Sequence, residues 1–450
     1  MQSLAHVVLA PSAVEDEEED GGALRILQLT DLHLFPPQMS EWKRTPPHKG
    51  VRLDVTRENG RTPYSTSACL KLCAKLSAAV RPHLVVLTGD VIDGRPYGEL
   101  NLGPEAWRAD FQTLIAPLVT AGIAWTFIPG NHDDDDSPWS RDDLIGVYSL
   151  PGCASRGATS FNHTFTVSVG ASGARTRLFF FDTGGNDQMY SYGTVAAEAV
   201  ASFARFAEEG VAEAETSSVA AATATAAAAS ANNGLAFYHI PLPETAALDP
   251  VIGHQGLFNA ALSGGKVPKP WCWVPSIVRL LGKDRVVGAS KLNSGLFDAI
   301  ASAGTVRSCF FGHDHHSDAV FQRRGVYLAY GRVSSCLPPS DWEGKSPLPF
   351  APGGRVIEVR RRADEPESRI STWVVTASGE AASSRLVLRS SRDGDRDAGS
   401  AAPPRLRLAT KIVFALIGGA ALFAGTAWWQ RRTARRVGGE REETSYEQSR

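Results

Sequence analysis

The sequence contains few cysteines, few methionines and almost no net charge. Its 450 residues include six cysteines and three methionines, and 46 lysines and arginines nearly balance 48 aspartates and glutamates. The cysteines lack the paired spacing that is typical of a zinc ribbon or a disulfide scaffold, and isolated thiols favour a reducing compartment. Because there is no excess of basic residues, nucleic acid is not expected as the main partner.

The start of the chain also lacks the features of a signal peptide, which are a basic beginning and a long apolar core. Its apolar stretch, residues 4–10, is short and contains His6. The acidic run over residues 15–20 is followed by two glycines, which is typical of a solvated segment. We therefore predict a disordered acidic leader over residues 1–23.

Five short apolar segments each end in aspartate, asparagine or histidine. Residues 84–87 are all apolar, as in a strand buried on both faces, and lead to Asp90. The other four segments end just before further polar residues: residues 24–30 before Asp31, 123–128 before Asn131, 235–238 before His239, and 306–311 before His313. The intervening stretches are long enough for crossover helices, so the pattern predicts an α/β fold.

The carboxyl edge of such a sheet is where ligands bind, and its side chains here suit a centre of two metal ions. Two close cations need a carboxylate that bridges them, while imidazole, carboxylate and amide oxygen complete each coordination shell. The sequence supplies these donors at seven positions: Asp31, His33, Asp90, Asn131, His239, His313 and His315. A glycine precedes three of them and permits a tight turn. The sequence therefore predicts a metal-dependent hydrolase.

The rest of the chain predicts further regular elements and two insertions. Apolar periodicity indicates helices over residues 67–80, 111–121 and 193–209, and strands over residues 160–169, 177–181, 326–330, 355–359 and 370–375. Residues 36–64 form a long polar loop that we interpret as a lid or substrate wall. Residues 212–233 are rich in alanine, threonine and serine and predict a disordered insertion. Residues 264–273 predict a second insertion near the edge of the site.

An apolar run without charge lies near the end of the chain, at residues 412–429. About 18 residues just span a hydrocarbon core roughly 30 Å thick, and Trp428 and Trp429 suit the membrane interface. A buried core helix is the alternative, but a helix that is apolar on all sides and follows a disordered linker has no domain in which to be buried. We predict a linker over residues 390–411, a transmembrane helix over 412–429 and a basic and polar tail over 430–450. The expected topology is a single-pass tail anchor with a cytosolic catalytic domain, and the flanking basic residues leave a lumenal orientation open.

The ordered blocks Asp-x-His, Gly-Asp, Gly-Asn-His, His and Gly-His-x-His resemble those of the calcineurin-like metallophosphoesterase superfamily. Within it, the chain is most similar to the purple-acid-phosphatase-like branch of fungi and plants, through residues 234–244, 293–318 and 325–331. The resemblance covers roughly residues 24–375 apart from the two insertions. It implies a sandwich of two mixed β-sheets flanked by helices, in a domain that we place at residues 24–389.

The resemblance also implies how the ligands divide between two divalent or mixed-valence ions of iron, manganese or zinc. One metal would take Asp31, His33, Asp90 and His315, and the other would take Asp90, Asn131, His239 and His313. A bridging hydroxide would be the nucleophile. His132, which is not a ligand in the family, would donate to the phosphoryl group or protonate the leaving group, and Asp133 would orient it.

One position departs from the purple acid phosphatases, which carry a metal-binding tyrosine three residues after the bridging aspartate. This sequence has Asp93 there, so a tyrosinate-bound ferric ion is not implied. We expect Asp93 to hydrogen-bond a metal-binding histidine instead. His316 and Asp318 are expected to lie beside the ligands without binding metal.

The resemblance implies a phosphatase that hydrolyses phosphomonoesters of small molecules or phosphoproteins. Two alternatives stay open: a phosphodiesterase that uses the same centre, and a catalytically silent, membrane-tethered interaction scaffold. Silent members lose ligands or the non-ligand histidine, and this chain keeps all of them, which favours the enzyme.

Overall fold

A computed structural model describes residues 1–10, 23–37, 41–43, 52–54, 66–169, 175–189, 191–216, 234–248, 250–253, 287–315, 317–335, 351–360, 368–376, 381 and 383–389. Residues Met1–Ser391 form one compact unit. Residues 217–233 of the first predicted insertion, residues 264–273, His316, the linker and the tail lie outside the described residues, as does most of the loop at residues 36–64.

The strands follow one another along the chain as β1 (Gln2–Ser3), β2 (Val7–Leu9), β3 (Leu24–Leu29), β4 (Glu41–Lys43), β5 (Arg52–Asp54), β6 (Leu84–Thr88), β7 (Ala124–Ile128), β8 (His163–Val169), β9 (Thr176–Phe180), β10 (Asn186–Asp187), β11 (Ser191–Tyr192), β12 (Gly234–Phe237), β13 (Val306–Phe311), β14 (Val320–Arg323), β15 (Val326–Tyr330), β16 (Gly353–Arg360), β17 (Arg369–Thr376) and β18 (Leu386–Leu388). The α-helices are α1 (Thr66–Val80), α2 (Gly94–Glu99), α3 (Pro104–Thr120), α4 (Ala197–Thr216) and α5 (Leu296–Ala303). Two 3₁₀ helices span Arg141–Ser149 and Pro243–Ala247.

Two large mixed sheets form the body of the unit. The six-stranded sheet has the order β18-β17-β16-β3-β6-β7, and the eight-stranded sheet has the order β1-β8-β9-β12-β13-β15-β14 with β2 also beside β8. In the first sheet β3, β6 and β7 are parallel, and in the second β9, β12, β13 and β15 are parallel. The five apolar segments of the sequence are β3, β6, β7, β12 and β13, so their prediction as strands is confirmed.

Alternation of side chains along the strands builds two apolar cores. Ile26 and Leu84 of the six-stranded sheet belong to one core with Phe237 and Phe310 of the eight-stranded sheet, so this core joins the two sheets. The neighbouring side chains, such as Leu27, point the other way and pack with α1 and α3 in a second core. This is the two-sided burial that continuous apolar strands require.

The first ten residues differ from the sequence-based expectation. They were predicted to belong to a disordered leader, yet β1 and β2 pair in parallel with β8. Leu9 is 5% exposed and belongs to the core that joins the sheets. Pairing with β8 gives this short segment the backbone partners and the apolar contact that its own sequence does not reveal.

The predicted fold class needs one correction. It included a transmembrane helix, but no helix within the described part of the chain is both long and apolar enough to cross a membrane. Residues 412–429, to which the prediction referred, lie outside the described residues. The mixed α/β part of the prediction is confirmed by the two sheets.

Candidate metal centre

The carboxyl ends of the parallel strands bring the predicted ligands to one place. Asp31 follows β3, Asp90 follows β6 and Asn131 follows β7, and these strands are neighbours in the six-stranded sheet. His239 follows β12 and His313 follows β13, which are neighbours in the other sheet. Parallel neighbours end at the same edge, so each sheet presents its polar residues as a group.

The first group of donors consists of Asp31, His33, Asp90 and His315, whose ligand atoms all lie within 4.8 Å of one another. His33 Nε2 is 3.1 Å from His315 Nε2 and 3.6 Å from Asp90 Oδ2. His315 Nε2 is 3.4 Å from Asp31 Oδ1. Two carboxylates and two imidazoles therefore converge on one point.

The second group contains Asp90, His239 and His313, again with ligand atoms within 4.8 Å of one another. The amide oxygen of Asn131 completes it, at 3.1 Å from His239 Nε2 and 2.8 Å from His313 Nδ1. Asp90 Oδ2 lies 3.2 Å from His239 Nε2. Asp90 is thus common to both groups, and the structure brings all seven predicted ligands together.

The backbone at the site is arranged for close approach. Four of the donor residues have positive φ angles: Asp31, His33, Asp90 and His313. Aspartate and histidine adopt this region more readily than most side chains. Gly89 has a φ of +85°, and a Cβ there would lie 2.5 Å from His239 Nδ1. At Gly130 a Cβ would lie 2.2 Å from Asp90 Oδ1, so both glycines are needed for the donors to meet.

Hydrogen bonds from surrounding groups set the direction of the imidazoles. His239 Nδ1 donates to the carbonyl of Thr88 at 2.8 Å, which leaves Nε2 for the centre. Asp93 Oδ2 accepts a bond from His33 Nδ1 at 3.4 Å, as expected from the sequence. Asp93 also caps α2 and accepts from the guanidinium of Arg95 at 2.8 Å. Asp93, which stands where purple acid phosphatases carry tyrosine, therefore orients His33, one of the predicted ligands.

Burial and charge perturb the titration of these groups. Burial tends to raise the pKa of Asp90, but the nearby histidines, His239 first, hold it well below its usual range. Burial alone would lower the pKa of His239, and the opposing charge of Asp90 raises it to about 9. Burial lowers the pKa of His33 to about 4 and, together with the charge of His239, that of His313 to about 3. The neutral imidazoles of His33 and His313 and the ionised carboxylate of Asp90 are the forms that bind cations, whereas His239 has to release its proton when a cation binds.

The donor set fits two cations. His33 Nε2 and His315 Nε2 face each other at 3.1 Å, although neutral imidazole nitrogens left as acceptors repel unless a cation or a proton lies between them. Each group combines imidazole nitrogen with oxygen donors and contains no thiolate, which suits borderline metals such as iron, manganese and zinc. The residues present are thus chemically matched to two ions that share one carboxylate.

His132 lies next to the centre, but Asp133 does not orient it as predicted. Asp133 is fully buried, and its carboxylate accepts backbone N–H groups from Asp90, Val91, Ile92 and Gly130. Burial, and then the charge of Asp90, raises the pKa of Asp133 to about 7. The carboxylate that contacts His132 is that of Asp135, whose Oδ2 is 2.8 Å from Nδ1. The side chain of Asp133 thus ties the loops after β6 and β7 together.

Two residues of the β10–β11 hairpin touch the centre without having been predicted. Asn186 Oδ1 accepts a bond from Asn131 Nδ2 at 3.1 Å, which turns the amide oxygen of Asn131 toward the two histidines. The ring of Tyr192 meets that of His313 edge-on at 4.4 Å between centroids. Each strand of this hairpin has two residues, too few for any periodic signal. Asp318, by contrast, forms a buried ion pair with Arg332.

Comparison with known proteins gives one matching family model and several distant relatives. Residues 24–210 match the model described as calcineurin-like phosphoesterase. The chain is 23% identical to "Probable inactive purple acid phosphatase 29" of Arabidopsis thaliana, over 69% of this chain and 71% of that protein. It is 23% identical to "Phosphatase DCR2" of Saccharomyces cerevisiae, over 70% of this chain and 48% of that protein. A crystal structure of a dimetal phosphatase from Danio rerio is similar with a TM-score of 0.45 and 13% identity, covering 82% of this chain and 99% of that one.

Proposed function

We propose that the chain is a metal-dependent phosphatase that hydrolyses phosphomonoesters, since residues 24–210 match the calcineurin-like phosphoesterase model and its ordered motifs resemble that family. The observation that carries the proposal is the pair of donor groups that share Asp90. A bridging carboxylate between two sets of nitrogen and oxygen donors is the arrangement that a two-metal hydrolytic centre needs.

Two metal ions would be held by the two donor groups, with Asn131 in the second. When bound, such ions lower the pKa of a coordinated water and polarise phosphoryl oxygens. We propose iron, manganese or zinc because imidazole and carboxylate donors suit these metals. Asp93 pairs with Arg95 and His33, so tyrosinate ligation at that position has no counterpart here.

The protein's own contribution is the fixed placement of these donors. Thr88 holds the His239 ring through Nδ1, and Asn186 holds the amide of Asn131. The backbone N–H of His313 donates to Asp31 Oδ2 at 3.0 Å, which joins a loop of one sheet to a ligand from the other. Donors that are already oriented cost little reorganisation when substrate and cations bind.

His132 is placed to act on the leaving group. Its backbone N–H donates to Asp90 Oδ1 at 2.8 Å, so the residue is fixed beside the shared carboxylate. Its side chain is 18% exposed and lies next to the ring of His33, with 5.4 Å between centroids. An imidazole at this place can give a proton to the oxygen that departs when a phosphomonoester is cleaved.

The name of the plant relative contains the word "inactive", which makes a silent scaffold the rival to be tested. A silent scaffold needs no convergence of seven donors on two points, nor a partly exposed histidine beside them. The name of the yeast relative describes a phosphatase. These observations support activity in this chain.

The test is hydrolysis by the purified full chain across a panel of iron, manganese and zinc. We expect release of phosphate from 4-nitrophenyl phosphate and from an alkyl or peptidyl phosphomonoester, with slower cleavage of bis(4-nitrophenyl) phosphate. The Asp90→Asn variant is the negative control for contaminating phosphatase. Failure to cleave any ester with any metal would establish the scaffold, and faster cleavage of the diester would establish a phosphodiesterase.

A further inference from the structure

The ring of His132 is held by a carboxylate whose role has no sequence signature. His132 Nδ1 lies 2.8 Å from Asp135 Oδ2, and the two side chains are 18% and 21% exposed. An ionised carboxylate only accepts hydrogen bonds, so Nδ1 carries the proton and donates it. The contact therefore fixes the tautomer and the plane of the ring, and it leaves Nε2 as the nitrogen that can meet a substrate.

Asp135 is connected to the first donor group through Arg95. Arg95 Nε lies 3.8 Å from Asp135 Oδ2 and 2.8 Å from Asp93 Oδ1. Asp93 Oδ2 in turn lies 3.4 Å from His33 Nδ1. Asp135, Arg95 and Asp93, whose charges alternate in sign, thus connect the ring of His132 to that of His33. The neighbouring Asp134 belongs to a different pair, with Arg141 at 2.8 Å.

We propose that Asp135 is the positioning residue of the reaction, because it holds His132 with Nε2 toward the leaving oxygen of a phosphoester. In the step, the oxygen of a water molecule forms a bond to phosphorus and the bond from phosphorus to the leaving oxygen breaks. The leaving oxygen keeps the electron pair and takes a proton from Nε2 of a doubly protonated His132 ring, which keeps its other proton on Nδ1, toward Asp135. The attacking water gives up a proton to solvent. Asp135 touches neither the substrate nor phosphorus. This inference rests on the proposed phosphatase function.

The experiment compares Asp135→Asn with Asp134→Asn, a matched control that removes a neighbouring carboxylate of similar exposure. General acid catalysis typically contributes about 10²- to 10⁴-fold, and loss of its alignment forfeits part of that, so we expect kcat on an alkyl phosphate to fall by about ten- to a hundredfold in Asp135→Asn. The loss on 4-nitrophenyl phosphate should be smaller, since its leaving group needs no proton. KM and metal content should stay near the parent values. Asp134→Asn should keep the parental ratio between the two substrates.

A second comparison uses the His132→Ala background. If Asp135 acts only through His132, adding Asp135→Asn to His132→Ala should change kcat by less than about twofold, because interacting residues are non-additive. Proton NMR of the zinc-loaded parent should show a protected Nδ1–H signal that is missing in Asp135→Asn, and Asp135→Glu should restore part of the rate.

The outcomes separate this inference from the proposed function. If the parent is active and Asp135→Asn lowers kcat equally on both substrates, the positioning role is overturned and the phosphatase function stands. The same holds if Asp135→Asn lowers kcat as much in the His132→Ala background as in the parent. A variant with parental rates on both esters has the same consequence. A parent that cleaves neither ester overturns the phosphatase and this inference together.

Discussion

At the scale of single residues, Asp90 is the point on which both donor groups depend. Its carboxylate is 1% exposed, with Oδ2 at 3.2 Å from His239 Nε2 and 3.6 Å from His33 Nε2. His315, by comparison, belongs to the first group alone. The two positions therefore separate the effect of losing the shared donor from that of losing an unshared one.

We expect Asp90→Asn to lose most of the metal from both groups, because a neutral amide cannot offset the charge of two close cations. His315→Ala should lose chiefly one metal. Elemental analysis after gel filtration measures the metal-to-protein ratio in each variant. Full occupancy in Asp90→Asn would contradict a shared centre.

Asn186 provides a test of support from outside the donor groups. Its bond to Asn131 Nδ2 directs the Asn131 amide oxygen to the second group, and loss of such supporting partners typically costs about 10- to 100-fold in metal affinity. We expect Asn186→Ala to lower the affinity for one of the two metals by about tenfold, as measured by competition titration with a chelator. Gln188→Ala, in the turn of the same hairpin, is the control and should bind as the parent does.

The positions of the donor residues could be predicted from the sequence, but the directions of side chains in irregular turns could not. The seven predicted ligands lie together because each comes shortly after an apolar strand, so chain position alone fixes where they lie. The resemblance implied Asp133 as the partner of His132, but the turn that begins at His132 brings Asp135 to Nδ1 instead. Direction of a side chain in an irregular turn has no periodic signal in the sequence.

At the scale of elements, strand β2 tests how much the first ten residues contribute. Leu9 packs into the core that joins the sheets, whereas Val8 on the same strand is 55% exposed. We expect Leu9→Ala to lower the free energy of unfolding by about 2–3 kcal/mol through lost burial and the cavity left behind. Val8→Ala should change it by less than about 0.5 kcal/mol. Urea denaturation of both variants measures the difference, and equal effects would mean that β2 is not docked.

The elements that sequence reasoning missed are the shortest ones. Strand β6 was predicted because four consecutive apolar residues, 84–87, leave a clear pattern in the sequence. Strands β1, β2, β10 and β11 have two or three residues each, and their pairing is decided by the tertiary partners rather than by local preference. Helix α3 begins at Pro104, seven residues before its predicted start, with proline in the first turn where its missing N–H does no harm.

At the scale of the whole molecule, a buried histidine outside the metal centre links stability to pH. His163 is fully buried, stacked on Phe180 with 4.7 Å between ring centroids, and its Nε2 lies 2.7 Å from the Ser155 hydroxyl. Burial lowers its pKa from 6.5 to about 4. Between pH 6.5 and pH 4 the imidazole is protonated in the unfolded chain but stays neutral in the folded protein. The contribution of His163 to the free energy of unfolding is therefore complete above pH 6.5 and is lost as the pH falls toward 4.

From this group alone, we expect the free energy of unfolding of the parent to fall by about 2 kcal/mol between pH 7 and pH 5. The fall should reach roughly 3 kcal/mol by pH 4. His163→Gln should be less stable than the parent at pH 7 and should lack this part of the pH dependence. Denaturant unfolding of both proteins at the two pH values gives the difference. Parallel pH dependences would show that another group is responsible.

The candidate metal centre also joins the two sheets. Its donors come from the loops after β3, β6 and β7 on one side and after β12 and β13 on the other. Cations that bind only the folded state stabilise it by about 4 kcal/mol at a thousandfold excess over Kd. Chelation should therefore lower Tm by on the order of 10 °C, and reloading should restore it. Calorimetry of Asp90→Asn should show little response to chelator.

The distribution of donors along the chain has a consequence for biosynthesis. His239 follows its neighbour Asn131 by 108 positions, and His315 follows His33 by 282. Each donor group thus needs at least one residue that the ribosome makes late. A nascent chain that has emerged only as far as Asn131 presents carboxylates without most of their imidazoles and cannot discriminate among cations by coordination geometry. If the centre binds the proposed metals, we expect the choice of metal to be made after translation has passed residue 315, in the compartment that the folded chain then occupies.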